Sequence, residues 1–139
     1  GTWHKPASIN GRSVYGISGT RDPAELVHEI ELNARKIFSI SGTYPRYYRS
    51  GTAYYDEYAV RIAQLLGHEV IGFSVLGDAG ATFSARQVTM ALLTARPGDI
   101  IIAHMNHPES GTADGIIAAL PLLKKQGFKF VHLHAYPLR

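Results

Sequence analysis

After residue 21, amphipathic helices alternate regularly with short apolar runs, and this alternation limits the folds that the chain can adopt. Helix signals recur: Asp22 and Pro23 open one helical segment, Thr82 or Ser84 opens another, and glycines close most of them. The intervening runs RYY, HEVIGFSVLGD, DIIIAH and FKFVHLHAY are apolar without strict alternation, which is typical of strands covered on both faces. The pattern predicts an α/β protein built as a parallel βα array, either an open doubly wound sheet or part of a β/α barrel.

The domain organisation follows from the length and from this pattern. We expect one domain over residues 1–139, with a long loop at 1–21, rich in Gly, Ser and Asn, and the βα units at 22–139. About four to five strands would supply only roughly half to two thirds of an eight-stranded barrel. Such a partial barrel would leave an unpaired edge. The sheet is therefore either open and complete, or it lacks strands that precede residue 1.

Composition excludes several classes of partner and site. The net charge is only +3, from 14 basic and 11 acidic residues that are scattered along the chain, so we expect no nucleic-acid partner. The longest apolar stretches, such as GIIAALPLL, are too short to cross a bilayer, so we expect no membrane span. The absence of cysteine leaves imidazole and carboxylate as the strong metal ligands. The sequence leaves export of the protein open.

Polar residues follow the predicted strands at the place where parallel α/β proteins bind ligands, the carboxyl ends of the strands. This rule selects Arg49 and Thr52 after RYY, Asp78 after FSVL, and His104 and His107 after III. His104 is the strongest candidate, because a buried strand precedes it and its ring would meet solvent only at the mouth of the barrel. The set suits acid–base chemistry near a metal.

Each of these residues could instead have a purely structural role. Arg49 could lie on the surface, and His107 could simply belong to a His-Pro turn. Asp78 lies in a Gly-Asp-Ala-Gly turn, where aspartate is common as a turn former. Tyr48 belongs to a tyrosine-rich stretch around Arg49; aromatic side chains at a rim suit sugar faces, but they also pack at the edges of cores.

Three stretches, YPRYYRSGTAYYDEYAVRIAQLLGH, PGDIIIAHM and ALPLLKKQGFKFVHL, resemble the NodB-like polysaccharide deacetylases. The resemblance covers nearly the whole chain after residue 20. It implies a distorted β/α barrel, of which this chain would be the C-terminal part. It also implies an enzyme that removes acetyl groups from N-acetylated or O-acetylated sugars with one divalent metal, commonly zinc. The expected partner is therefore an acetylated polysaccharide or oligosaccharide.

The family's catalytic motifs fall on specific residues of this chain. The run IAH matches the family's hydrophobic-x-His motif, which implies that His104 is the general acid. The run YYRSGTAYYDE matches the arginine motif, which implies that Arg49 orients the catalytic base. Asp78 would be the later carboxylate that tunes the acid.

The loop after Arg49 is the place where the resemblance implies a contact with the substrate. Thr52 stands where the family usually has tyrosine, and Ser50 and Gly51 replace two prolines. The backbone amide near Thr52 would then be an oxyanion donor. Tyr48 and His107 would contact the sugar beside these loops.

The family's metal motif implies that part of the site precedes this chain. In the family an Asp-Asp pair and a His-x-x-x-His pair supply the base and the metal ligands. If His4 is the second histidine of that pair, its partner and the Asp-Asp pair lie before residue 1. The missing strands would lie in the same place. We therefore expect a metal ligand at His4, a missing N-terminal segment of the same protein as a partner, and little activity from residues 1–139 alone.

The sequence is compatible with three functions. The leading one is a metal-dependent polysaccharide deacetylase. The second is a catalytically inactive barrel of the same ancestry that binds a sugar or a protein, which the altered arginine loop favours. The third is a metal-dependent amidase that acts on a small cyclic or formyl amide. Acetate release from acetylated oligosaccharides, or product release from small amides, would separate them.

Overall fold

A computed structural model describes residues 5–138 of the chain. Within that range four α-helices alternate with short parallel strands, so the predicted α/β class and parallel βα array are confirmed. The elements in chain order are α1 Pro23–Ser41, β1 Tyr47–Tyr48, α2 Glu57–Leu65, β2 Glu69–Val70, β3 Val75–Leu76, α3 Ala85–Leu92, β4 Ile101–Ile102, α4 Thr112–Lys125 and a 3-10 turn Leu133–Ala135. None of the helices in this range is long and apolar enough to span a membrane.

Local hydrogen bonds set the starts of α1 and α3 at residues that the sequence predicts. Helix α1 begins at Asp22, whose side chain accepts the Glu25 N–H, and it ends at Gly42, which has φ 70°. Of the two predicted caps for α3, Ser84 is the one observed, and it forms a reciprocal capping box with Gln87. These starts depend on residues within one turn, which is why the pattern predicts them. Helix α3 is shorter than its pattern suggests, because it ends at Leu92 and not at a glycine.

Two of the predicted strands are wrong. The run HEVIGFSVLGD, predicted as one strand, is split: β2 pairs with β1, whereas β3 pairs with β4 in a separate two-stranded sheet. The backbone changes partner between Ile71, whose N–H donates to Tyr48, and Ser74, whose N–H donates to Ile100. The run FKFVHLHAY, predicted as the last strand, pairs with no strand of residues 5–138; it turns as Leu133–Ala135 and leaves Phe130 and Val131 exposed.

The chain forms two compact units, residues 1–72 and 73–139. In the first unit α1 packs on α2 around a core of small and branched side chains: Ala7, Leu26, Ile30, Ala59 and Ala63. In the second unit α3 packs on α4 around Val88, Leu92, Ala119 and Leu123. Each unit carries one of the two parallel strand pairs.

The predicted N-terminal loop is, from residue 5 onward, an ordered part of the first unit. Ala7 bridges to Tyr55 in parallel orientation, and its carbonyl accepts the Asp56 N–H. Ser8 and Thr20 are buried and hydrogen-bonded to each other through both backbone and hydroxyl groups. The segment is therefore fixed at both ends by buried polar contacts, which would be costly to break.

Helix α1 carries a carboxyl group in an unfavourable position. Glu29 Oε2 is buried and has no hydrogen-bond partner among the described residues. Burial raises the pKa of Glu29 to about 7; the nearby Lys5 opposes this rise and Glu25 adds to it. An ionised Glu29 therefore destabilises the fold at neutral pH.

Replacing Glu29 with glutamine should stabilise the protein above pH 7. The pKa of this carboxyl rises from 4.5 to about 7 on folding, so native stability should fall as pH rises through that window. The full effect corresponds to about 3 kcal/mol at most. Urea unfolding should show that E29Q has a higher free energy of unfolding than the parent at pH 8 and about the same value at pH 5. Glu31→Gln, which removes a surface partner of Arg35, is the matched control; an unchanged pH slope in E29Q would contradict the prediction.

Candidate functional site

The register of the second strand pair brings Asp78 and His104 together. Val75 pairs with Ile101 and Leu76 with Ile102, so both strands end at the same edge. Gly77 extends the ladder by donating its N–H to the Ile102 carbonyl at 2.9 Å. Asp78 follows directly, and His104 stands two residues beyond β4.

Asp78 holds both the backbone and the ring of His104. The His104 N–H donates to Asp78 Oδ2 at 2.6 Å, and His104 Nδ1 lies 2.8 Å from Asp78 Oδ1. The Thr112 hydroxyl, at the start of α4, donates to Oδ2 at 3.0 Å. An ionised carboxylate only accepts hydrogen bonds, so this geometry assigns the ring proton to Nδ1 and leaves Nε2 as the nitrogen available for exchange.

The electrostatics favour an ionised Asp78. Its side chain is completely buried, whereas that of His104 is 29% exposed. Burial alone would raise the pKa of Asp78, but the hydrogen bonds from the His104 ring, the His104 N–H and the Thr112 hydroxyl outweigh it and hold the pKa below its usual value. The pair therefore combines a fixed buried carboxylate with a partly exposed imidazole.

Thr112 and two glycines also belong to this arrangement, and the sequence analysis gave them no role in it. A Cβ at Gly77 would lie 2.7 Å from the Ile102 carbonyl oxygen, so only glycine lets β3 approach β4 this closely. A Cβ at Gly111 would collide with the Ala85 backbone, so glycine also brings the start of α4 against α3. For Thr112 the sequence offered only one signal, a hydroxyl side chain soon after the loop that follows a predicted strand.

The loop after β1 carries the other predicted catalytic residue. Arg49 is exposed, and its guanidinium donates to the Ser50 carbonyl at 2.9 Å. The Thr52 hydroxyl accepts the Tyr54 N–H at 3.4 Å inside a turn that contains Ala53 at φ 56°. The buried Ser50 donates its hydroxyl to the Tyr54 carbonyl at 2.8 Å. The loop is thus fixed internally while the Arg49 side chain faces solvent.

Tyr48 and His107 occupy different kinds of position. Tyr48 is half-buried against the core of the first unit, its ring centroid 6.2 Å from that of Tyr55, and burial raises its pKa. His107 is exposed, and its Nδ1 lies 3.0 Å from a carboxylate oxygen of Glu109. Tyr48 therefore has a packing role in this structure, and His107 has a surface partner.

The predicted residues divide between the two units. Arg49, Thr52 and Tyr48 belong to the first unit; Asp78, His104 and His107 belong to the second. The predicted metal ligand His4 lies outside the described residues.

Metal-ligating side chains do not cluster within residues 5–138, where no group of three or more could hold a metal ion. The rings of His132 and His134 stack 5.4 Å apart in the last turn.

The chain is similar in fold to solved structures of carbohydrate esterase family 4, which are NodB-like barrels. The chain overlays a peptidoglycan N-acetylglucosamine deacetylase solved with a hydroxamate ligand, with a TM-score of 0.74 and 23% identity, over 81% of this chain and 54% of that one. It also overlays a family 4 acetyl xylan esterase from Clostridium thermocellum with a cobalt ion, with a TM-score of 0.72 and 22% identity, over 81% and 55%.

A third similar structure is a family 4 pseudoenzyme from Bacillus anthracis, with a TM-score of 0.69 and 20% identity, over 78% of this chain and 38% of that one. The chain spans about half the length, or less, of these three structures. No protein-family model and no curated sequence matches it. The similarities show the fold, and the parallel βα units match part of a NodB-like barrel.

Proposed function

We propose that this chain is part of a metal-dependent hydrolase that removes acetyl groups from N-acetylated or O-acetylated polysaccharide. The observation that carries the proposal is the contact between buried Asp78 and the partly exposed ring of His104, 2.8 Å apart at the carboxyl ends of β3 and β4. Structures with the same fold include a peptidoglycan deacetylase and an acetyl xylan esterase. Ligands of parallel βα folds bind at this end of the strands.

His104 is the proposed general acid. Its Nδ1–H points to Asp78, so an imidazolium would present its second proton at Nε2. That proton would pass to the departing amine or alkoxide as the tetrahedral intermediate collapses. Asp78 would fix the ring orientation and stabilise the positive charge, as the carboxylate of a catalytic triad does.

The remaining predicted residues are proposed to have the roles that the resemblance implies. Arg49 is exposed and would hold a carboxylate base in its ionised form by charge-assisted hydrogen bonds. The amide near Thr52 would face the oxyanion, and His107 and Tyr48 would line the sugar site. For Tyr48 this requires an edge of its half-buried ring to reach the ligand.

The described residues by themselves do not fit a metal ion, because they hold no group of three or more suitable side chains. We propose His4 as one ligand of a divalent metal, zinc by the resemblance, with the other ligands supplied by a segment of the same protein outside this chain. Such a metal would supply a Lewis acid for the acetyl carbonyl and for water. One similar structure carries a cobalt ion.

Acetate release tests the proposal. The protein as encoded would be purified, loaded with zinc or cobalt, and incubated with N-acetylated chito-oligosaccharides and with acetylated xylan. We expect acetate from at least one of the two glycans and none after chelation. Metal-loaded protein that releases no acetate from either would contradict the proposal. Product from small cyclic or formyl amides, but not from glycans, would instead indicate the amidase.

A second candidate function is sugar binding without catalysis. It is favoured by the similarity to a pseudoenzyme of the same fold at a TM-score of 0.69. The altered loop after Arg49 points the same way. Saturable binding of acetylated glycan by metal-loaded protein that releases no acetate would establish it.

A further inference from the structure

A short hairpin in the first unit presents a tyrosine in an unusual conformation. Val14 and Ile17 exchange two backbone hydrogen bonds of 3.0 Å, so Tyr15 and Gly16 form a two-residue turn. Both turn residues have positive φ, 54° and 73°, as in a type I′ turn. Such turns favour Asn, Asp and Gly at both positions, and a bulky side chain is strained there.

Burial of the Tyr15 side chain does not offset this strain. It is 84% exposed, the second most exposed of the large tyrosine, phenylalanine, leucine and isoleucine side chains in residues 5–138. A left-handed conformation is energetically unfavourable for a residue other than glycine. Strain that contributes no burial is typical of residues that act on a ligand.

The hairpin stands on a fixed base. The Gly11 N–H donates to the Thr20 carbonyl at 3.0 Å, and the buried Ser8 hydroxyl donates to the same carbonyl at 2.6 Å. The Ile9 N–H donates to the Asp56 carboxylate at 2.9 Å, at the start of α2. The turn is therefore held in one orientation, which lowers the entropic cost of binding a ligand.

Arg12, on one side of the hairpin, contacts the loop that follows Arg49. Arg12 donates to the Tyr54 hydroxyl at 2.9 Å, and its guanidinium carbon lies 5.1 Å from the centre of that ring. The Tyr54 carbonyl in turn accepts the Ser50 hydroxyl, next to Arg49. Guanidinium carries five N–H donors, so Arg12 keeps donors for further acceptors.

We propose that this hairpin is a subsite for one sugar unit of the acetylated polysaccharide chain, next to the loop of Arg49. The Tyr15 ring stacks on the apolar face of a pyranose, and the Arg12 guanidinium and the Tyr54 hydroxyl hydrogen-bond to its oxygens. The subsite rests on the proposed function and adds to it: the substrate is an oligomer whose units extend past the acetylated residue being processed.

Binding without turnover tests the subsite. In the encoded protein with His104→Asn, calorimetric titration with N-acetylated chitotetraose and with acetylated xylotetraose should show about tenfold weaker binding after Tyr15→Ala. Tyr15→Phe should retain most of the affinity, and binding of the monosaccharide should be unchanged. Phe38→Ala, which removes an exposed ring from the far end of α1, is the matched control. Unchanged tetramer affinity in Tyr15→Ala would overturn the proposal.

Tyr15→Asn separates a ligand role from a structural one. Asparagine tolerates positive φ, so this variant should raise the melting temperature while it weakens tetramer binding as Tyr15→Ala does. A lower melting temperature would show that the ring stabilises the fold and would overturn the proposal.

The subsite and the proposed function can fail separately. Tyr15-dependent tetramer binding by metal-loaded protein that releases no acetate would support the subsite and reject the hydrolase. Acetate release with a KM for the tetramer unaffected by Tyr15→Ala would reject the subsite and support the hydrolase. Absence of tetramer binding in the parent protein would reject the subsite outright.

Discussion

Replacing His104 with asparagine should reduce acetate release from acetylated oligosaccharide at least about 100-fold, the usual contribution of a general acid. The asparagine amide can still donate to Asp78 Oδ1, and the backbone N–H at this position still reaches Oδ2, so the fold should persist. The variant loses the group that delivers a proton, so kcat/KM should fall through kcat. Initial rates of acetate release, with circular dichroism as the check on folding, measure both.

The control for this variant is another exposed histidine of the same unit. His132→Asn changes a ring that stacks on His134 in the last turn and hydrogen-bonds to no carboxylate among the described residues. It should leave the rate within about twofold of the parent. If His104→Asn retained most of its activity, His104 would be a structural partner of Asp78 and the mechanism proposed here would be wrong.

Asp78→Asn tests the carboxylate of the Asp78–His104 pair, and it should change how the stability of the protein depends on pH. Because the pKa of Asp78 is below its usual value in the folded protein, its ionised form stabilises the fold above the unfolded pKa, and that stability is lost as pH falls through the folded value. The asparagine variant should therefore lose less stability than the parent on acidification. It should also release acetate more slowly, since a neutral amide does not stabilise imidazolium.

Gly115→Ala is the second substitution for which we expect a large effect, this time on stability. A Cβ at Gly115 would overlap Val88 Cβ, and it would lie 2.6 Å from Val88 Cγ1 and 2.7 Å from the Ala85 carbonyl oxygen. Alanine gains about 1 kcal/mol in helix propensity, but the collision between α3 and α4 should outweigh this. We expect a net loss of about 2–3 kcal/mol in the free energy of unfolding, measured in urea.

The same substitution should weaken activity, because Thr112 lies one turn before Gly115 and holds Asp78. Pushing α4 away from α3 would move the hydroxyl off the carboxylate. Gly72→Ala is the matched control, since its Cβ would meet nothing within 4 Å. In a Val88→Gly background the cost of Gly115→Ala should shrink, and strictly additive effects would contradict the proposed collision.

Several parts of the site were predictable from short-range patterns. Asp78 and His104 were selected because each follows an apolar run, and strands of parallel α/β proteins end at one edge. The 2.6 Å bond from the His104 backbone to Asp78 was not predictable, because it depends on the register of β3 against β4, two strands separated by a whole helix. Thr112 was missed for the same reason: its partner is distant in sequence.

The sequence was enough to predict the order of the helices and the starts of α1 and α3, since Asp22 and Ser84 act through hydrogen bonds to residues within one turn. It also determined which side chains stand at strand ends. Tertiary structure decided which strands pair, and so divided HEVIGFSVLGD between two sheets and left FKFVHLHAY unpaired within residues 5–138. Strand pairing depends on segments that are distant in sequence, and the composition of an apolar run does not specify which of them it pairs with.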